Sequence, residues 1–161
     1  MTAELIDAAG QLHRPCPDAR IVSLVPSITE CLCALGLRHQ LVGRTGFCVQ
    51  PRRWLREVPK LGGTKDVDVE RLLAQRPTHV ILNIDENRRE LADELAGRVP
   101  VLVITHPRGP RDNLNLYRLL GGIFCREMAA ARLASALERQ LAACGEPAQW
   151  PRRRVLYLIW Y

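Results

Sequence analysis

Aromatic side chains are scarce in this chain: two Phe, three Tyr and three Trp among 161 residues. Lysine is scarcer still, with two against 21 Arg, so the net charge of +6 rests on arginine. The arginine runs, Arg52-Arg53, Arg88-Arg89 and Arg152-Arg153-Arg154, are short and scattered. A platform for single-stranded nucleic acid needs aromatics interleaved with its charge, so these arginines read as solvated surface. No stretch reaches the ~18 apolar residues of a membrane span. The opening segment, MTAELIDAAGQLHRPCPDAR, has no cationic start followed by an apolar block. As written it is not a secretory signal, and the expected location is cytoplasmic.

Several catalytic signatures are also missing. No Gly-x-Gly-x-x-Gly follows the first apolar run, and Gly62-Gly63 lacks the Gly-Lys-Ser/Thr of a phosphate loop. The six Cys show no zinc spacing, and in a reducing compartment they are expected as buried apolar residues rather than disulfides. The four His are scattered. No Ser-His-Asp order, metal triad or carboxylate pair supports catalysis, so the chain is not expected to be an enzyme.

What is present is an alternation of strand and helix. In RIVSLVPSITECLCALGL, Ile21, Val22, Leu24 and Val25 form the β-branched run of a strand buried on both faces. Pro26 ends it, and Ser27 with Glu30 makes the Ser-x-x-Glu of a capping box. Gly36 is the expected left-handed stop. A short extended lead over Leu5–Arg14, turning at Gly10, precedes this unit. Further strands are expected at Leu41–Arg44, Thr78–Asn83 and Val101–Ile104. Helices are expected after Asp68, over DENRRELADEL, and over Pro110–Leu120. A long Ala- and Leu-rich helix should run from Glu127 to Cys144, with Met128, Leu133, Leu137 and Leu141 on one face. RRRVLYLIWY reads as a fifth strand. Such alternation implies right-handed βαβ units and a parallel α/β sheet. Ligands in such sheets bind where strand carboxyl ends meet helix amino ends.

Taken together, RIVSLVPSITECLCALGL, LVGRTGFCVQP, LGGTKDVDVERLLAQRPTHVIL and NIDENRREL resemble the cobalamin-binding members of the class III, helical-backbone substrate-binding proteins of ABC transporters. Other members of that class take iron-siderophores or haem. The resemblance implies a Rossmann-like parallel-sheet lobe over residues 1–125, a backbone helix between lobes at 126–145, and the first strand of a truncated second lobe at 146–161. It implies capture of a corrinoid, cobalamin-like ligand without catalysis, for ABC-type uptake or intracellular handling. Haem or a ferric siderophore is the alternative ligand. A nucleotide-using cytoplasmic α/β enzyme and a ligand-free interaction module are the rival classes. Relatives of this kind are periplasmic.

The resemblance also assigns site residues. It places the Pro26-Ser27 turn against the ligand, where few side chains protrude and helix N–H groups can meet amides. Phe47 falls at a position for an aromatic packed on the macrocycle; tucking into the core is the alternative. Cys48 beside it could offer a soft thiolate. Asn83, Asp85 and Asn87 suit hydrogen bonds to ligand amides or a solvated helix start. His106 is either a metal ligand or structural. Glu70 matches a residue that docks on a permease, or simply suits the helix dipole. An ABC permease is thus an expected partner, nucleic acid and a membrane span are not, and the apolar carboxyl-terminal strand predicts self-association.

Overall fold

The computed structural model describes residues 4–144, 151 and 153–156. Its centre is a parallel sheet of β1 (Ile21–Ser23), β2 (Leu41–Arg44), β3 (His79–Asn83) and β4 (Val101–Thr105), in the order β2-β1-β3-β4. Around it lie α1 (Pro26–Ala34), α2 (Arg52–Leu55), α3 (Val69–Ala74), α4 (Arg89–Leu95), α5 (Asp112–Ile123) and α6 (Glu127–Ala143). The α/β class and the parallel sheet read from the sequence are both present.

Alternation along each strand sends side chains to opposite faces. Ile21, Ile81 and Val103 pack with Ile28 and Leu32 of α1 and with Leu116, Leu120 and Phe124 at α5. Val22, Val80 and Leu82 pack with Leu72 of α3 and Leu91 and Leu95 of α4. The sheet is therefore covered on both faces, which is why its strands are apolar in their middles, with polar residues such as Arg44, His79 and Asn83 at their ends. Both edges are covered too. Beside β4, the Ile6–Leu12 hairpin lets Ala8 N–H donate to the Ile104 carbonyl at 2.9 Å, and the Asp7 carboxylate accepts from Ile104 N–H at 2.9 Å. Beside β2, Arg44 N–H donates to Pro59 at 3.0 Å and Leu61 N–H to Arg44 at 2.8 Å.

Several local expectations are corrected. The helix after β1 begins at Pro26, with Val25 as its cap residue and no side-chain cap bond. Ser27 lies inside the first turn, so no capping box forms. The polar side chains nearby pair differently: Thr29 hydroxyl lies 2.8 Å from Ser23 Oγ and 2.9 Å from the Val25 carbonyl. Asp68 does cap α3, accepting from Arg71 N–H at 2.9 Å. The helix expected over DENRRELADEL starts only at Arg89, because Asn83 Oδ1 accepts from Asp85 N–H at 2.8 Å and Glu86 N–H at 3.2 Å and holds that stretch as a turn. Of the expected fifth strand, residues 153–156 lie in no strand, with Val155 and Leu156 exposed. The remainder of that segment lies outside the described residues.

α6 is seated on α5 by close backbone approach. A Cβ added to Gly121 would stand 2.4 Å from Ala130 Cβ, so glycine is required there for the two helices to touch. Ala130 is the buried residue of α6, Leu133 packs against the core beside it, and Met128 is exposed.

Chain direction across the sheet reverses between β1 and β3, the switch point of an open α/β sheet. One side chain closes it. Asn87 Oδ1 accepts from Asn83 N–H at 2.9 Å, and its Nδ2 donates to the Leu24 carbonyl at 3.3 Å and the Thr64 carbonyl at 2.8 Å. The ends of β1 and β3 and the 62–67 loop are thereby tied at one point.

The opposite end of β3 holds a buried histidine. His79 accepts or donates at Nδ1 to Thr78 Oγ1 at 2.9 Å and meets Phe124 edge-on at 5.3 Å between ring centres. Burial, and then the nearby His13, push its pKa down to about 4. His13 in turn lies 3.1 Å from Asp7. Burial alone would raise the Asp7 carboxyl, but the His13 hydrogen bond and the N–H groups of Ile104, Gln11 and Ala9 outweigh it and hold the pKa low.

Two outcomes follow from these contacts. Folded His79 binds fewer protons than unfolded His79 between pH 6.5 and about 4, so stability is full above that window and falls as pH drops through it. Urea unfolding across the window should show a falling midpoint, and His79→Gln should flatten the fall; an unchanged slope in the variant places the titration elsewhere. Asp7 adds its own loss only at lower pH, below the ordinary carboxylate value. Separately, Asn87→Ala strips partners from two buried backbone groups and one part-buried carbonyl and should cost about 2–3 kcal/mol in urea unfolding. A loss within the experimental error would show that the three segments are held by other means.

Candidate ligand site at the carboxyl edge of the sheet

The sheet's carboxyl edge is built by the turns that follow each strand. After β1, the chain passes through Val25 to Pro26, half-buried, and Ser27, exposed. The first N–H groups of α1 open here because proline leads the helix and no side chain caps it.

After β2 comes the loop of residues 45–51. Thr45 and Cys48 are both fully buried, with Oγ1 and Sγ 3.1 Å apart. Cys48 is therefore an inward peg of this loop. The expectation that its thiol meets a ligand is corrected by that burial. The residues on either side of it point outward: Phe47 is 64% exposed and Val49 55%. Phe47 does not tuck into the core, which removes that alternative reading.

After β3, Ile84 is 50% exposed. Asn83 and Asn87 are buried, and their amide groups are engaged with the protein as described above. Asn83 Nδ2 also reaches Thr105 Oγ1 at 3.4 Å. Neither is free to hydrogen-bond a ligand amide, so the direct-contact role expected of them is replaced by support of the turn. Asp85 remains on the surface, 3.4 Å from His106 Nε2 at the end of β4.

Val49 and Ile84 were not singled out from the sequence. For Ile84 the available signal was an apolar residue directly after a strand and ahead of a polar turn; Val49, within the loop after β2, offered no comparable signal. With Phe47 they put three large apolar side chains in water on the turns after β2 and β3, flanking the β1 turn. Scattered single apolar residues are ordinary; several on one edge make that edge the candidate for a binding surface.

Two hollows adjoin this edge. One, of about 390 Å³, lies at the end of β4 among Ile104, His106, Arg108 and Asn115. The other, also about 390 Å³, lies between Ser27 and Glu30 of α1, Tyr117 of α5 and Leu133 of α6. Cys31 lines the second, and burial pushes its thiol up to about 12; it stays protonated and acts as an apolar filler. Among the described residues, no three His, Cys, Asp or Glu converge to hold a metal, and no helix is long and apolar enough to cross a membrane. Glu70 stands apart from the edge, in the first turn of α3, where it pairs with Arg98 on the surface.

Solved structures share this architecture. The periplasmic haem-binding protein RhuT of Roseiflexus is 30% identical with a TM-score of 0.67, covering 78% of this chain and 48% of its own. Haem-binding HutB of Vibrio cholerae is 26% identical with a TM-score of 0.69, covering 84% and 52%. The vitamin B12-binding protein BtuF of Vibrio cholerae is 20% identical with a TM-score of 0.72, covering 79% and 49%, and supports the fold alone. The chain thus spans about half the length of these relatives. No curated protein matches the sequence. The family model for periplasmic binding proteins matches residues 21–160. An α/β lobe followed by a long helix agrees with the class III substrate-binding proteins that the sequence motifs resemble, and the chain belongs to the periplasmic binding protein family.

Proposed function

We propose that the chain captures a corrinoid or a similarly large, flat tetrapyrrole on the carboxyl edge of its sheet, without catalysis, for ABC-type uptake or intracellular handling. The observation that carries the proposal is the exposure of Phe47, Val49 and Ile84 on the turns after β2 and β3. A broad apolar ligand laid on that edge would remove all three from water. Pro26 and Ser27 carry small side chains on the β1 turn, and the first N–H groups of α1 suit amide or carboxylate substituents. We read α6 as the connector toward a second lobe, as in the family's two-lobed members.

Haem is the second reading. It is favoured by His106, half-buried at the end of β4 and the imidazole at this edge, and by the haem-binding descriptions of RhuT and HutB. Glu70 is our candidate for permease docking. Its side chain is 80% exposed, and its pairing with Arg98 is a surface ion pair that costs little to exchange for another partner.

Absorbance titrations with cyanocobalamin, haemin and a ferric siderophore test the proposal directly. Cyanocobalamin is expected to bind, and Phe47→Ala should weaken it about tenfold, or about 1.4 kcal/mol. Tighter binding of haemin, abolished by His106→Ala, would transfer the assignment to haem. Binding that ignores Phe47→Ala, or no spectral change with any of the three ligands, would remove the carboxyl edge as the site.

A further inference from the structure

We propose that Arg44 is the positioning residue of this site: its buried guanidinium clamps the 45–55 segment and thereby presents Phe47 and Val49 to the ligand. The inference rests on the carboxyl-edge reading above and adds how that surface is held in shape.

Arg44 closes β2 and is 6% exposed. Its Nε donates to the Leu55 carbonyl at 3.1 Å. Its Nη1 donates to the Thr45 carbonyl at 3.2 Å and the Cys48 carbonyl at 2.9 Å. One planar fork thus grips both ends of the segment that carries Phe47. Among the described residues no carboxylate stands within ion-pair distance of it. A buried cation without a counter-ion is costly, and solvated arginine is the ordinary state in this arginine-rich chain. Three carbonyls facing one fixed donor set give a specific reason for the burial. Lysine supplies a charge on a flexible stem but not three directed donors in a plane.

The consequence is mechanical. Thr45 and Cys48 point inward and Phe47 and Val49 outward, and that alternation holds only while the loop keeps its turn. Cys48 N–H reaches the Thr45 carbonyl at a long 3.3 Å, so the turn's own bond is weak; Gly46 N–H donating to the Gly62 carbonyl at 2.7 Å and the Thr45–Cys48 side-chain contact support it, and the arginine adds three bonds across it. Holding an exposed aromatic in its bound orientation lowers the ordering cost at binding.

The test uses the full chain. Arg44→Lys is compared with the unsubstituted protein by amide hydrogen exchange. Exchange at residues 46–50 should quicken about tenfold or more while β3 is unchanged, since local opening is governed by local contacts. Cyanocobalamin and haemin titrations are then run in a double-mutant cycle. Arg44→Lys should weaken binding about three- to tenfold alone, and less than about twofold when Phe47 is already Ala, because the two positions act through one contact. Equal losses in both backgrounds, or unchanged exchange over 46–50, would overturn the proposal. Arg44→Gln, which carries no buried charge, serves the same cycle if the lysine variant fails to fold. If the unsubstituted chain binds neither ligand, the tetrapyrrole reading falls, while the exchange result still decides whether Arg44 holds the loop.

Discussion

The carboxamide of Asn87 touches three segments that are far apart in sequence: the end of β1 at Leu24, the end of β3 at Asn83, and the 62–67 loop at Thr64. Its oxygen can only accept and its nitrogen can only donate, and each meets backbone of the complementary kind. A parallel sheet leaves the carbonyls and N–H groups beyond its last ladder bond without partners, and at a switch point no neighbouring strand supplies them. Asn87 fills that gap with one side chain at 9% exposure. The placement of the β1 turn, the start of the β3 turn and the Gly62-Gly63 loop all depend on it. Since Gly63 packs near the Phe47 ring, the constraint extends to the apolar edge as well.

The same logic runs around the rest of the lobe. Most buried polar groups here are matched; among the described residues Gln40 Oε1 is the buried side-chain atom left without a partner. Asp7 receives His13, Ile104, Gln11 and Ala9, which seals the β4 edge against pairing with another chain. Arg44 receives three carbonyls and shapes the loop after β2. On the carboxyl rim Phe47, Val49 and Ile84 stay in water, as Leu12 and Met128 do elsewhere on the lobe. On the reading proposed above, contact with a flat, apolar ligand removes water from that rim.

Much of the fold was legible in the sequence because it rests on local patterns. The four strands are built on short apolar runs with polar residues only at their ends, the pattern of strands covered on both faces. Asp68 announced its helix because the cap is local. The Ser27 capping box misled, because the Ser-x-x-Glu pattern does not reveal that Pro26 takes the first helical position. NIDENRREL misled in another way. Asparagine reads as a solvent-facing amide, yet Asn83 and Asn87 are buried by contacts to Leu24, Thr64 and Thr105 that lie 22 to 63 residues distant. Arg44 was hidden for the same reason, as one arginine among many whose acceptors appear only when the loop closes. At the site, Phe47 was legible as an aromatic in a loop, whereas Cys48 was read as its partner and proved to be the peg that turns it outward.

The carboxyl edge, shaped by Asn87 and Arg44, is the ligand surface we propose. Amide chemical-shift mapping of the full chain with cyanocobalamin, repeated with haemin, locates the surface that a ligand meets. Perturbations are expected to cluster at residues 25–28, 46–49 and 84–86, at the ends of β1, β2 and β3. Perturbations clustered instead on α3 and α4, or around His13 and His79 at the opposite end of the sheet, would contradict that placement.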